Sequence, residues 1–382
     1  MKRIGVYTGN RADYGILKNL IFELKELKSI KTLLYTGGAH YSSLFGNTYK
    51  EIIKDRIRIN FKSNLRINNI NNTEILNFFS KSIAENTKQL KRKKPDVVII
   101  LGDRYEAYAF AITAFFLNIK IIHIHGGELT QGAFDDSIRH SISKLSDYHF
   151  VTHKKYKKRL VQLGESRKNI FMVGSLGVES FVKFKKIPKK ILFKKHKIPL
   201  SKKIALVTFH PETRSKIKIK KQIQILLSSL KNLKNIFLII TYNNPDTYGD
   251  YYIKQIIKFN KNNNNSTIIK SMGSENYYSF LTHVDLVIGN SSSGIIEAPS
   301  AKTPTLDIGD RQLGRIKSSS VFNCKLQKNQ IIKMSYKILK KKNLSYKNEY
   351  YKKNTKKLVV KAILKILKSK LIPNKKFHDI KF

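Results

Sequence analysis

Between residues 121 and 144 the chain reads IIHIHGGELTQGAFDDSIRHSISK, which gathers His123, His125, Glu128, Asp135, Asp136, Arg139 and His140 within a few turns of chain. Carboxylates and imidazoles at this density suit proton transfer, because burial and neighbours can bring either type into the working range of pH. His123 and His125 share one strand face by the period of two. That spacing permits a metal site, but no completing pattern such as HExxH is present, and no metal is assigned. The paired glycines Gly126 and Gly127 break the apolar run just past the histidines, where a ligand could approach. FDDSIRH then starts a helix, with Asp135 as its expected N-cap and Asp136 about one turn from Arg139.

GNSSSGIIEAPSAK (289–302) follows an apolar run and opens a helical one. Free N–H groups at a helix start, the helix dipole and serine hydroxyls suit a phosphate or diphosphate, which points to Ser291, Ser292, Ser293 and Gly294. Ordinary capping by Ser291–Ser293 is the competing reading, and three serines with a glycine exceed what a cap needs. Glu297, one turn on, is placed to accept two ribose hydroxyls. The GxxxxGK[ST] pattern is absent, and no GxGxxG follows the first strand, so no dinucleotide or other cofactor is expected. TGNRADYG puts Arg11 where it can meet a phosphate from the opposite side, or else pair at the surface with Asp13. HPETR offers His210, with Pro211 fixing the loop and Arg214 close by. LGDRYEA offers Asp103, either facing the chain that carries His125 or capping the helix from Tyr105. No GxSxG elbow occurs, which disfavours acyl transfer. Acids and imidazoles beside phosphate-binding turns indicate proton transfer on a phosphorylated substrate.

These clusters need elements to position them. Strands are expected at 2–7, 31–36, 96–101, 120–125, 148–152 and 170–173, with helices at about 14–26, 73–92, 105–117, 136–146 and 153–163. The strands are continuous apolar runs, not alternating ones, so a parallel sheet buried on both faces follows. After a lysine-rich linker at 181–203 with a marginal helix, strands resume at 204–209, 236–241, 267–270, 284–288 and 303–307. Seven polar or glycine-rich clusters fall just after strands: TGNRADYG, TGGAH, GDRYE, HGGE, HPETR, GNSSSG and GDRQLGR. Ligands of open α/β sheets bind beyond the carboxyl ends of strands. The expected fold is therefore α/β, with two Rossmann-like doubly wound domains facing a cleft.

With 382 residues and 41% apolar content, the chain is long enough for two ordinary cores. The net charge of +48 invites a nucleic-acid reading. The lysines are spread along the whole chain, most densely over 325–382, and accompanied by Asn, Ile, Tyr and Phe, the signature of A- and T-rich codons, so no nucleic acid partner is expected. No apolar run approaches the roughly 18 to 20 residues that span a bilayer, and MKRIGVYTGN lacks a signal-peptide core. A single cysteine, Cys324, excludes an internal disulfide framework. A soluble cytoplasmic protein without a membrane partner is expected.

TGNRADYG, LGDRYEA, HIHGGE, DDSIRHSISKLS, VTFHPET, GNSSSGIIEA and GDRQLGR, in order over about residues 3–320, together resemble the hydrolysing UDP-N-acetylglucosamine 2-epimerases of bacterial sialic-acid synthesis. The resemblance implies a GT-B-like pair of domains. The first, 1–180, carries the catalytic acids and is completed by a C-terminal helix at about 355–382; the second, 200–350, binds the nucleotide. It implies that UDP-GlcNAc and water give UDP and N-acetylmannosamine. UDP leaves by anti elimination with loss of the C2 proton, and water adds to the resulting 2-acetamidoglucal with inversion at C2. Carried over by motif, Asp103 and Asp136 serve proton transfer and hydration, His210 and Arg11 contact the diphosphate, and Ser291, Ser292 and Glu297 hold the nucleotide. Gln312 and Arg315 lie in a loop that closes near substrate. Non-hydrolysing and animal relatives carry Glu where His125 stands here, which leaves His125, Glu128 and Asp103 as alternatives for the C2 base. The same chemistry on a diacetamido-trideoxy (bacillosamine-type) nucleotide sugar, and the non-hydrolysing reaction, are the other substrate readings. A homodimer or homotetramer is expected, without the kinase half of the bifunctional animal protein.

Overall fold

The computed structural model describes residues 1–63, 65, 71–244, 246–270, 272–369 and 375–380. Its strands are β1 (Lys2–Thr8), β2 (Ile30–Thr36), β3 (Phe61–Lys62), β4 (Val97–Leu101), β5 (Lys120–Ile124), β6 (Tyr148–Val151) and β7 (Ile170–Met172), then β8 (Lys203–Thr208), β9 (Ile236–Thr241), β10 (Ser266–Ile269), β11 (Leu286–Gly289), β12 (Thr305–Ile308) and β13 (Val321–Cys324). They form one sheet of order β3-β2-β1-β4-β5-β6-β7 and a second of order β10-β9-β8-β11-β12-β13.

The pairings are parallel, for example Val6↔Leu34, Val6↔Ile99, Ile288↔Val207 and Ile288↔Leu306. All five residues of β4 are buried, as a strand covered on both faces requires. Each sheet starts in its middle and winds outward both ways, so β1/β4 and β8/β11 are topological switch points, where crevices open for ligands. The two Rossmann-like units anticipated from the run pattern are the observed architecture.

The helix Arg11–Glu26 buries Tyr14, Leu17, Leu20, Ile21 and Leu24, and Asn10 caps it by accepting the Asp13 N–H. Its partner comes from the far end of the chain. The helix Thr355–Lys368 sends Val359, Ala362, Ile363 and Ile366 into the same apolar core as Ile4, Val6 and Leu17. This helix stops at Lys368, short of the expected 382; residues 370–374 and 381–382 lie outside the described residues. Residues 375–380 return to the first sheet's helices. Lys375 Nζ donates to the carbonyls of Lys144 and Ser146, each at 2.7 Å, and pairs with Glu165 at 2.7 Å, while Phe377 packs against Gly164. A cation at the open carbonyls ending the helix Asp135–Leu145 is favourable in both hydrogen bonding and dipole.

Three local expectations need correction. The edge strands Phe61–Lys62 and Val321–Cys324 were not anticipated, because two to four mixed residues carry no periodic signal. The 181–203 linker contains an ordered helix, Lys189–Lys195, whose Leu192 and Phe193 are buried. Asp135 is the first helical residue rather than an N-cap; Phe134 occupies the cap position and makes no side-chain cap bond. No helix among the described residues is long and apolar enough to cross a membrane.

Candidate active site

The carboxyl ends of both sheets open onto one cavity of about 510 Å³, within the range of small-molecule sites. Residues following β1, β4, β5, β8, β11 and β12 line it. TGGAH after β2 is the exception: His40 is fully buried instead, between the hydroxyls of Thr8 (3.0 Å) and Thr48 (2.9 Å). Among the described residues five arginines line the cavity: Arg11, Arg104, Arg139, Arg311 and Arg315. Such a concentration of fixed cations suits a diphosphate.

On the first sheet's wall, Asp103 pairs with Arg139, whose Nη2 also donates to Thr130 Oγ1 at 2.8 Å. Asp103 is thus held by a buried guanidinium and does not cap the helix from Tyr105, where Arg104 takes that position without a side-chain cap. His125 lines the cavity at the end of β5 with φ +69°, a left-handed conformation that costs a non-glycine residue on the order of 1–2 kcal/mol. Strain of this kind concentrates at functional sites. Its Nδ1 lies 3.4 Å from Glu128 Oε1, while Nε2 is buried with no hydrogen-bond partner among the described residues. Burial lowers the His125 pKa and Glu128 partly offsets this.

Glu128 itself sits behind the wall, fully buried. Oε1 accepts from Thr152 at 3.1 Å, and Oε2 faces Arg315 at 3.2 Å and Arg139 at 3.5 Å. Asp136 is likewise set back: Oδ1 accepts the Thr130 N–H at 2.6 Å, and Oδ2 lies 3.9 Å from His140. Neither lines the cavity. The glycines before Glu128 accommodate protein rather than ligand. A Cβ on Gly127 (φ +75°) would stand 2.6 Å from the Tyr156 carbonyl, and one on Gly126 would stand 3.0 Å from His123 Nδ1. His123 is a structural link, joining Ser143 Oγ (3.0 Å) to the Gly102 carbonyl (2.7 Å); a carbonyl only accepts, so Nε2 carries the proton.

The second sheet supplies the opposite wall. Gly289 (φ +138°) ends β11 so tightly that a Cβ would sit 1.9 Å from the Thr208 carbonyl, and the turn then presents Ser291, Ser292 and Ser293 to the cavity. The following helix is a single turn, Ser293–Ile296, in which Gly294 packs against Thr305 and does not face the cavity. Glu297 lines the cavity, and burial lifts its pKa to about 7 against the pull of Ser293 and Arg315. Gln312 donates to the Asn290 carbonyl at 2.8 Å and Arg315 Nε to the Leu129 carbonyl at 3.1 Å, so the GDRQLGR loop reaches across to the first sheet's wall. Arg11 lines the cavity and donates to the Lys270 carbonyl at 3.4 Å; Asp13 instead accepts from Asn10 and Gly9, so the surface pair between the two does not form. Burial, with Glu106 adding to it, raises the Asp13 pKa to about 7. Arg214 bonds Ser137 Oγ at 2.7 Å, outside the cavity.

His210 lines the cavity with its backbone clamped by Asn290, which accepts its N–H (2.7 Å) and donates to its C=O (2.9 Å). Sequence reasoning missed its neighbours. Asp246 lies 3.3 Å from His210 Nδ1 and also takes Arg104 from the first sheet's side. Arg104 stands beside Asp103 in LGDRYEA, the one signal that pointed towards it.

Comparison with known proteins agrees with this geometry. A family model described as UDP-N-acetylglucosamine 2-epimerase matches residues 22–364. The chain is 39% identical over 327 residues to the GDP/UDP-N,N'-diacetylbacillosamine 2-epimerase (hydrolyzing) of Campylobacter jejuni, covering 85% of each. It is 37% identical to the polysialic acid biosynthesis protein P7 of Escherichia coli, covering 100% of this chain and 98% of that one. Its fold is similar to a solved UDP-GlcNAc 2-epimerase from Neisseria meningitidis bound to UDP-GlcNAc, with a TM-score of 0.79 at 20% identity, covering 96% of this chain and 100% of that one.

Proposed function

Because this chain belongs to the UDP-N-acetylglucosamine 2-epimerase family, we propose that it is a hydrolysing 2-epimerase that converts UDP-GlcNAc and water to UDP and N-acetylmannosamine. The observation that carries the reading is the pairing of two walls across one cavity. A serine turn with arginines stands opposite an unpartnered imidazole nitrogen backed by a carboxylate. The diphosphate rests on Ser291–Ser293, Arg11 and Arg311, and Glu297 accepts the ribose hydroxyls. His125, neutral through burial and oriented by Glu128, takes the C2 proton at Nε2. The C2–H electrons form the C1=C2 bond as the C1–O bond breaks and UDP leaves with that pair. Water then adds across the glycal, its hydroxyl to C1 and a proton to C2 on the opposite face. Asp103, fixed by Arg139, is the acid and base for this second step, and Asp136 holds the Thr130 loop that backs it. The protein acts in the cytoplasm as a homodimer or homotetramer.

A second substrate reading is favoured by the 39% identity to the Campylobacter enzyme, whose name specifies a diacetamido sugar. Proton NMR in deuterated water tests both. Free N-acetylmannosamine deuterated at C2, with UDP, supports the proposal. Turnover only of a diacetamido-trideoxy nucleotide sugar establishes the second reading, and UDP-ManNAc as the product sinks the hydrolytic assignment.

A further inference from the structure

We propose that Asp246 is a positioning residue for departure of the diphosphate, tying approach of the two cavity walls to the aim and proton of His210. This rests on the proposed function, with His210, which lines the same cavity as the serine turn, as the residue that meets the leaving diphosphate. Asp246 is buried in the loop after β9, on the second sheet's side. One carboxylate oxygen takes Nη1 of Arg104, which follows β4 of the first sheet, and the other faces His210 Nδ1 at 3.3 Å. The neighbouring Thr247 Oγ1 bonds Asn72 Oδ1 at 3.2 Å, a second bridge between the two sides at the same place. Arg104 is anchored on its own side by Glu106 (3.5 Å) and Asp135 (3.6 Å). Asp246 therefore meets Arg104 only when the walls are together.

The surroundings of His210 Nδ1 are in competition. The Asn244 N–H points at it from 3.2 Å, which favours the neutral ring as acceptor, while Asp246 favours the protonated ring as donor. Burial, Arg311 and Arg104 lower the His210 pKa, and Asp246 opposes them; despite burial, Arg104 and His210 keep Asp246 ionised. With Nδ1 engaged, Nε2 is the nitrogen left for a ligand. Arg104 draws on the charge of Asp246 when the walls close, which weakens its hold on the imidazolium proton. His210 is thereby poised to deliver its Nε2 proton to the β-phosphate oxygen as the C1–O bond breaks. The proton moves to the departing UDP and the ring is left neutral.

The test uses the full chain with Asp246→Asn, Arg104→Gln and the double variant, with kcat and KM followed across pH. Asp246→Asn is expected to lower kcat by roughly 10- to 100-fold, part of what a general acid supplies, with KM within about threefold. Its basic limb should move to lower pH by about one unit, because the opposite charge is gone. Arg104→Gln should move that limb the other way, because a repelling cation is gone, while kcat at the optimum still falls. The double variant should lose no more than the worse single one, as expected of residues acting as a unit. Losses that multiply, limbs that move together or not at all, or an effect confined to KM would overturn the proposal. UDP affinity of Asp246→Asn within about threefold of the native protein shows that the fold is intact. If the native protein turns over no nucleotide sugar, the functional reading fails. Asp246 is then judged by the titration of the carbon-13-labelled His210 ring, which must fall in Asp246→Asn and rise in Arg104→Gln.

Discussion

Replacing His125 by Asn removes the proposed C2 base with little other disturbance. Asn adopts positive φ more readily than most residues, so the +69° backbone is retained, and the residue-125 N–H can still donate to the Phe150 carbonyl at 3.0 Å. Only the ring is lost, and stability should change by no more than about 1 kcal/mol. Glu128→Gln would be a poorer probe, because Glu128 also compensates Arg139 and Arg315, and buried cations left unpaired would obscure the result. A general base contributes about 10²- to 10⁴-fold, equivalent to roughly 3–5 kcal/mol of barrier. UDP release from the proposed substrate should fall by that factor and C2 deuteration with it, while UDP affinity, read by calorimetry, stays within about threefold. Turnover within threefold of the native protein would refute the assignment and return the role to Asp103. The native profile adds a sign: burial lowers the His125 pKa, so the acid limb of kcat/KM should fall below the ordinary histidine value of about 6.5.

Two further outcomes can be checked directly. Burial holds His40 and His123 neutral, each with a pKa of about 3, so the unfolded chain binds more protons below about pH 6.5 and stability falls as pH drops through that value. Each should remove on the order of 2 kcal/mol between pH 7 and pH 5, and urea unfolding of His123→Gln should show a shallower loss across that range. Glu297, with its pKa lifted to about 7, accepts hydroxyls best when ionised, so UDP affinity should rise through neutral pH. Glu297→Gln should weaken it by roughly tenfold at pH 8 and abolish that rise, as measured by calorimetric titration.

Long apolar runs made β1, β4, β5 and β9 legible, because a strand buried on both faces has no room for polar residues. Polar clusters after strands led to Asp103, His125, His210 and the serine turn for the same topological reason. Rank within a cluster was not legible. Glu128 and Asp136 look like Asp103 in the sequence, yet they lie behind the wall, because the Gly126–Gly127 turn and the Thr130 loop direct them inward. Asp246 was invisible for another reason. It lies in an unremarkable loop, and its significance arises only when Arg104, 142 positions away, is brought against it by the meeting of two sheets.

The helix Thr355–Lys368 completes a core begun by Ile4 and Val6, and this bears on synthesis as well as stability. The first sheet's unit cannot close its apolar face when its own strands leave the ribosome. It must wait while the whole second unit is made, on the order of 10–40 s at about 5–20 residues per second. During that interval the face of Leu17, Leu20 and Leu24 has no cover from residues 359–366. The second unit, whose core clusters draw on residues 181–338, has no such debt and can fold first. Vectorial synthesis is thus reversed here: the first unit translated is the last one finished.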